Sequence, residues 1–158
     1  MKDKRILVTG GAGFLGYHLA RQLPAKGVAF MAFNDIVPFI EREYPEGSVL
    51  AEVDVRDKEK MRDLIRDNRI DQIIHAAAAL PLWPTREIMS TNIQGTRNVL
   101  ELAKELDLER VIYISSTAVY GVPEKHPLVE SDPLVGVGAY GTTKIESEKM
   151  CEQYRDLG

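Results

Sequence analysis

Short apolar runs alternate with longer stretches of helical spacing along this chain, and that alternation predicts repeated strand–helix–strand units around a parallel sheet. Strands are expected over 5–9, 28–34, 48–53, 72–75 and 110–115. The second reads Val28-Ala29-Phe30-Met31-Ala32-Phe33-Asn34. Its near-continuous apolarity suits a strand covered on both faces. Leu15, Leu19 and Leu23 stand at i, i+4 and i+8, which predicts a first helix with one stripe on the sheet. Pro24 should end that helix and Gly27 close the turn into the second strand. A helix over 57–68 would bury Met61, Leu64 and Ile65, with Asp57 as its N-cap. A longer helix is expected over 84–107, with Val99, Leu102, Ala103 and Leu106 at core spacing, and a last one runs from Ala139 to at least Tyr154. Between 117 and 138 lie Pro123, Pro127 and Pro133 with three glycines. Loops of that length in compact domains are usually functional or mobile.

The junction after the first strand reads Thr9-Gly10-Gly11-Ala12-Gly13-Phe14-Leu15-Gly16. A strand running through a tight glycine turn straight into a helix exposes backbone N–H groups and the positive end of the helix dipole, which suits a pyrophosphate. In this reading Gly10 allows the turn, Gly13 lets phosphate approach the backbone, and Gly16 lets the helix pack tightly on the strand. The first gap is one residue wider than the standard dinucleotide fingerprint, and many glycine turns serve the backbone alone.

Other residues gather where open α/β sheets bind ligands, at the carboxyl ends of the expected strands. Asp35 ends the second strand nineteen residues beyond Gly16, in position to hold both adenosine-ribose hydroxyls, or simply to terminate a strand. Such a carboxylate repels a 2′-phosphate, so NAD is favoured over NADP, though Arg42 keeps NADP open. Asp54 with Val55 could meet an adenine, and helix capping competes as an explanation of Asp54. After the fourth strand, the small side chains of Ala76, Ala77 and Ala78 would let a flat cofactor lie against the backbone. His75 before them is expected to be buried and hydrogen-bonded rather than catalytic.

Tyr140 and Lys144 stand at i and i+4 on one helix face, so a phenol and an ammonium can share a site. A tyrosine ordinarily titrates near 10, and a neighbouring ammonium favours the phenolate. An exposed helical pair is the plainer alternative. Ser115 and Ser116 close the fifth strand, and a hydroxyl there could bond a reacting oxygen or merely end the strand. Asn92 falls mid-helix, where its propensity is poor; it would bind the backbone of an adjacent strand or face solvent. Tyr113, Trp83 and Phe14 are read as packing or cleft-lining residues, and Cys151 as a small buried one.

Composition narrows the class. A chain of 158 residues suits one domain. Its net charge of −4 comes without a basic stripe, which argues against nucleic acid as a partner. The lone Cys151 fits a reducing compartment. No run has the length of a membrane span or signal peptide, so a cytoplasmic protein without membrane partners is expected, and no metal.

Taken in order, the glycine turn, Asp35, Asp54-Val55, His75-Ala76-Ala77, Asn92-Ile93-Gln94-Gly95-Thr96, Ser115-Ser116-Thr117-Ala118-Val119-Tyr120-Gly121 and Tyr140-Gly141-Thr142-Thr143-Lys144 resemble the extended short-chain dehydrogenase/reductase family, particularly its nucleotide-sugar epimerase and dehydratase branch. The resemblance spans essentially the whole chain. It implies an α/β, doubly wound, Rossmann-like parallel sheet with helices on both faces. It further implies that Gly13, Phe14, Leu15 and Gly16 cradle the pyrophosphate of NAD, Asp35 holds the adenosine ribose, and Asp54 with Val55 touches adenine. Tyr140 would be the base, Lys144 would assist it and hold the nicotinamide ribose, Ser116 would bond the substrate oxygen, and Asn92 would lie near the cofactor. Dehydratases of this branch carry an Asp-Glu pair where Thr117 and Ala118 stand, which disfavours dehydration. Members also continue past the last helix into a substrate-binding region. The chain is therefore expected to be the dinucleotide-binding domain, residues 1–158, of a longer enzyme, with Gly158 as a helix stop before a sixth strand. A homodimer through the two long helices is the implied assembly. A reductase of a steroid-like or other small carbonyl, and a non-catalytic dinucleotide-binding module, stand as alternatives.

Overall fold

Five parallel strands make one sheet: β1 (Arg5–Thr9), β2 (Phe30–Asp35), β3 (Val49–Glu52), β4 (Gln72–His75) and β5 (Arg110–Tyr113), in the order β3-β2-β1-β4-β5. The connecting helices are α1 (Phe14–Gln22), α2 (Lys58–Asp67), α3 (Thr85–Met89) and α4 (Gly95–Glu105), followed by α5 (Gly138–Arg155). This computed structural model describes residues 2–123 and 125–155, so the helix stop expected at Gly158 lies outside the described residues. The α/β doubly wound sheet with helices on both faces is the fold read from the sequence.

Alternation along the strands divides the core into two layers. Ile6 and Val8 of β1, with Met31 and Phe33 of β2, point toward α1 and pack with Ala20 and Leu23. Leu7 and Ala32 point the other way, onto Met61, Leu64 and Ile65 of α2 and Val99 and Leu102 of α4. Asp57 caps α2 as expected, accepting from the Lys60 N–H at 3.2 Å. Leu23 and a 3-10 turn at Pro24–Lys26 end α1, and Gly27 at φ 79° returns the chain to the sheet.

Two expectations change. The stripe of α1 is carried by Gly16, Ala20 and Leu23, while Leu15 is 38% exposed. Leu15 sits in the first turn of α1, beyond the sheet edge, so it lines a cleft instead of the core. The helix expected over 84–107 is continuous but not uniform: α3 and α4 are joined by a π-helical stretch, Ser90–Gln94. Gly95 at its end has no room for a side chain, since a Cβ there would come within 2.6 Å of Val55 Cγ2. The start of α4 thus packs directly onto Val55, in the loop that follows β3.

Leu102 is fully buried, whereas Leu82 is 99% exposed. Leu102→Ala should lower the unfolding free energy in urea by about 2–5 kcal/mol. Leu82→Ala should change it by less than about 0.5 kcal/mol.

Candidate functional site

Register sets the site. Ala51, Asn34, Thr9, His75 and Tyr113 form one row across the sheet near the carboxyl ends of the strands. The chain leaves β1 toward β2 and returns on the other side to β4, so a crevice opens above β1 where the winding reverses. A cleft of about 410 Å³ lies there, lined from the loops after β1, β2, β3 and β4.

Its floor is the glycine turn. Gly10 has φ 69°, and a Cβ on it would fall 2.8 Å from the Ala77 nitrogen, so both conformation and space require glycine. A Cβ on Gly16 would lie 2.5 Å from the Gly11 carbonyl oxygen and 2.6 Å from that of Gly10. Gly16 therefore packs α1 onto its own preceding turn, rather than onto the strand as expected. Gly13 is the N-cap of α1, makes no side-chain cap, and is followed by no acid in the first turn. The leading N–H groups of α1 consequently have no competing side-chain acceptor, an arrangement that favours an anion. Phe14, 84% exposed, and Leu15 flank this opening.

Around the floor stand the other cleft residues. The Asp35 carboxylate accepts from Ala12 N–H at 3.0 Å and Ile36 N–H at 2.7 Å, which fixes its orientation at the cleft wall. Arg42 is exposed on a 3-10 turn, Glu41–Glu43, away from the cleft lining. Asp54 is gripped by the Arg56 guanidinium at 2.6–3.1 Å, and Arg56 also donates to Glu87 at 2.7 Å and Ser90 at 3.0 Å. Burial alone would raise the Asp54 pKa; the hydrogen bonds and charge of Arg56 outweigh it and hold the carboxyl below its usual range. Val55 is buried beneath the cleft. Arg56 was not singled out from the sequence, although an arginine two residues beyond the acid was a readable partner.

Ala76, Ala77 and Ala78 form the opposite wall. Thr9 organises that wall, its hydroxyl accepting from Ala76 and Ala77 N–H at 3.2 and 3.1 Å. Having accepted twice, the hydroxyl donates to His75 Nδ1 at 2.7 Å, which leaves the ring proton on Nε2, facing Thr96 Oγ1 at 3.1 Å. Burial, reinforced by the Lys144 charge, pushes the His75 pKa down to about 3, so the ring is neutral and structural, as its sequence position suggested.

The expected catalytic residues lie beside this cleft, past the end of β5, and do not line it. Ser116 caps a 3-10 turn, Thr117–Tyr120, accepting from Ala118 N–H at 3.2 Å and keeping its own proton free to donate. The start of α5 sits directly on that turn, because a Cβ on Gly141 would come within 2.8 Å of the Ala118 carbonyl oxygen. Tyr140, half-buried, is thereby brought to the Ser116 turn. Lys144 Nζ donates to the Ile114 carbonyl at 2.8 Å and lies 4.8 and 5.7 Å from the ring centroids of Tyr113 and Tyr140. Burial lowers its pKa to about 8, against the opposing charge of Glu148, which accepts a hydrogen bond from Ser115.

Asn92 is neither solvent-facing nor in the cleft. Its amide accepts from Ala79 N–H at 2.8 Å and donates to Ala79 oxygen at 3.2 Å and Thr143 Oγ1 at 3.0 Å. Its own carbonyl accepts from Ser147 at 3.1 Å. Asn92 thus ties the cleft wall to the helix that carries Tyr140 and Lys144. Thr143 and Ser147, both fully buried, were not anticipated; a polar residue on each buried turn of α5 was the available signal.

Known proteins share this fold. The model of the NAD dependent epimerase/dehydratase family matches residues 6–158. A UDP-glucose 4-epimerase of Azospirillum brasilense is 29% identical, over 98% of this chain and 44% of its own length. The UDP-glucose 4-epimerase of Thermus thermophilus, solved in complex with NAD, superposes with a TM-score of 0.84 at 30% identity, over 97% of this chain and 51% of that one. The Bordetella bronchiseptica enzyme WbmG, also solved with NAD, gives 0.86 at 25%, over 96% and 50%. The chain spans about half the length of the curated relatives it matches.

Lys144 titrates near 8 in the fold against an ordinary 10.5, so between those values the unfolded chain binds more protons and stability rises with pH. The cost of burying the charge is fully present below about 8. Urea unfolding should show the parent chain gaining on Lys144→Met between about pH 7 and about pH 10; parallel curves would contradict the buried charge.

Proposed function

The chain belongs to the NAD dependent epimerase/dehydratase family, and from that premise we propose that it is the dinucleotide-binding part of an NAD-dependent nucleotide-sugar epimerase. The observation that carries this reading is the pairing of a glycine turn into an uncapped helix, bonded to the Asp35 carboxylate in one cleft, with Ser116, Tyr140 and Lys144 packed beside it. The residues fit NAD: the N–H groups of Phe14, Leu15 and Gly16 for the pyrophosphate, beside Gly13, whose own N–H donates to the Gly10 carbonyl at 3.1 Å, Asp35 for the adenosine ribose, and Asp54 with Val55 for adenine. Asp35 is an acceptor for two hydroxyls and would repel a 2′-phosphate, so NAD rather than NADP is the cofactor. When bound, NAD supplies a hydride acceptor.

The protein's own residues manage the proton. Ser116 donates a hydrogen bond to the substrate oxygen with the proton its capping role leaves free. Tyr140 takes the proton of the sugar hydroxyl as hydride leaves the carbon, and returns it when hydride comes back to the other face. Lys144, held on the Ile114 carbonyl, supplies positive charge beside the Tyr140 ring and a donor for the nicotinamide ribose. Thr117 and Ala118 offer no acid–base pair for eliminating water, which favours epimerisation over dehydration. The substrate class is a nucleotide sugar, in keeping with the UDP-glucose 4-epimerases among its relatives. We further propose a cytoplasmic homodimer built on α3–α4 and α5, with substrate contacts supplied largely by polypeptide outside this chain. Among the described residues no helix is long and apolar enough to cross a membrane.

Titration calorimetry should show NAD binding the chain more tightly than NADP, and absence of both would overturn the reading. In the whole protein, Tyr140→Phe should lower turnover of a UDP-hexose by about 10²–10⁴-fold while NAD affinity holds. Retained turnover would remove Tyr140 from its role.

A further inference from the structure

The loop after β2 does more than end a strand. Residue Tyr44, just after the 3-10 turn Glu41–Glu43, reaches back across the sheet edge and donates its hydroxyl hydrogen bond to the Gly11 carbonyl at 3.0 Å. The other end of the same peptide, the Ala12 N–H, donates to Asp35 at 3.0 Å. The Gly11 N–H in turn donates to the Asn34 carbonyl at 2.9 Å. The Gly11–Ala12 peptide plane is therefore held at both edges, once by a side chain from beyond β2 and once by the carboxylate that ends β2.

The phenol is itself well held. Its ring makes edge contacts with Phe33 and Phe39 at 5.1 and 5.2 Å between centroids. Gly11 lies directly against this group, since a Cβ on it would be 2.7 Å from Phe33 Cβ. Burial first, then the Asp35 charge, raises the Tyr44 pKa, so the hydroxyl stays a donor.

We infer that Tyr44 is a positioning residue for the phosphate-binding turn: by locking the Gly11–Ala12 peptide it aims the N–H groups at the start of α1 into the cleft. This rests on the proposal that the cleft binds NAD. Because the N–H groups of Gly11, Ala12 and Gly13 donate to Asn34, Asp35 and Gly10, the groups left for a pyrophosphate are those from Phe14 onward. A rotated peptide would swing the start of α1 with it.

Tyr44→Phe keeps the ring and deletes only the hydroxyl. Calorimetry on the chain should show its affinity for NAD and for ADP-ribose falling about five- to tenfold, the size of one lost neutral hydrogen bond. Affinity for adenosine, which Asp35 and Asp54 would hold without the turn, should stay within about twofold. Amide exchange at Ala12 should quicken in the variant. An equal loss for adenosine and ADP-ribose would mark a general structural effect and overturn the inference. So would unchanged NAD binding, which leaves the functional reading standing. Failure of the parent chain to bind NAD would overturn that reading and this inference together.

Discussion

Backbone pressed against backbone, with no space for a Cβ, is the constraint on which this structure depends. Gly10 meets the main chain of Ala76 and Ala77 across the switch point, and Gly16 meets the carbonyls of Gly10 and Gly11 one turn further on. These two contacts set how closely α1 and the end of β4 approach each other, and so how wide the cleft between them is. A methyl group at either position would have to displace main chain, which cannot yield as a flexible side chain can. The alanines after β4 continue the same logic, since their side chains leave the wall nearly flat. Binding capacity here comes from what is missing: side chains on the turn, a cap on α1, and acids in its first turn.

The second half of the site is held by buried polar groups. A π-helical stretch changes the hydrogen-bond spacing within the helix between α3 and α4, and the Asn92 carbonyl there accepts a side chain from α5. Asn92 then joins Ala79, on the cleft wall, to Thr143 on α5, the helix that carries Tyr140 and Lys144. Removing one member would leave others buried and unpaired, which costs more than the bond itself is worth. The two halves of the site are thus coupled through groups that never face the cleft.

How much of this was readable from sequence follows from the range of the interactions. Strand and helix periodicity, the cap at Asp57, the stop at Pro24 and the turn at Gly27 are local, and they were legible. Gly10 was legible because a turn between strand and helix announces its φ. The partner of Gly16 was not, because whether it packs on the strand or on its own turn depends on where α1 begins. Asn92 was recognisable as out of place in a helix, yet its partners Ala79 and Thr143 are distant in sequence and carry no pattern of their own. Tyr44 and Arg56 act across loops whose paths no periodicity fixes. The run Ser90-Thr91-Asn92-Ile93-Gln94-Gly95 is weak in helix propensity, but weakness alone does not distinguish a π stretch from an ordinary helix or a break.

Lys144 shows why such a site is not built for stability. The residue is only 4% exposed, and its ammonium titrates near 8 because burial works against the charge. A methionine would fill the same space without that penalty, as buried ion positions elsewhere suggest. What offsets the cost is local: one carbonyl at 2.8 Å, two aromatic faces, and the Glu148 carboxylate one helical turn away. None of these neutralises the lysine as a contacting carboxylate would. A fully paired lysine would have its field cancelled, so the incomplete pairing leaves the charge able to act on the Tyr140 ring, as the proposed role of that tyrosine requires. His75, by contrast, is kept neutral by the same burial and the same lysine. Positive charge is thereby concentrated at a single atom beside Tyr140, instead of being shared with the ring beneath the cleft.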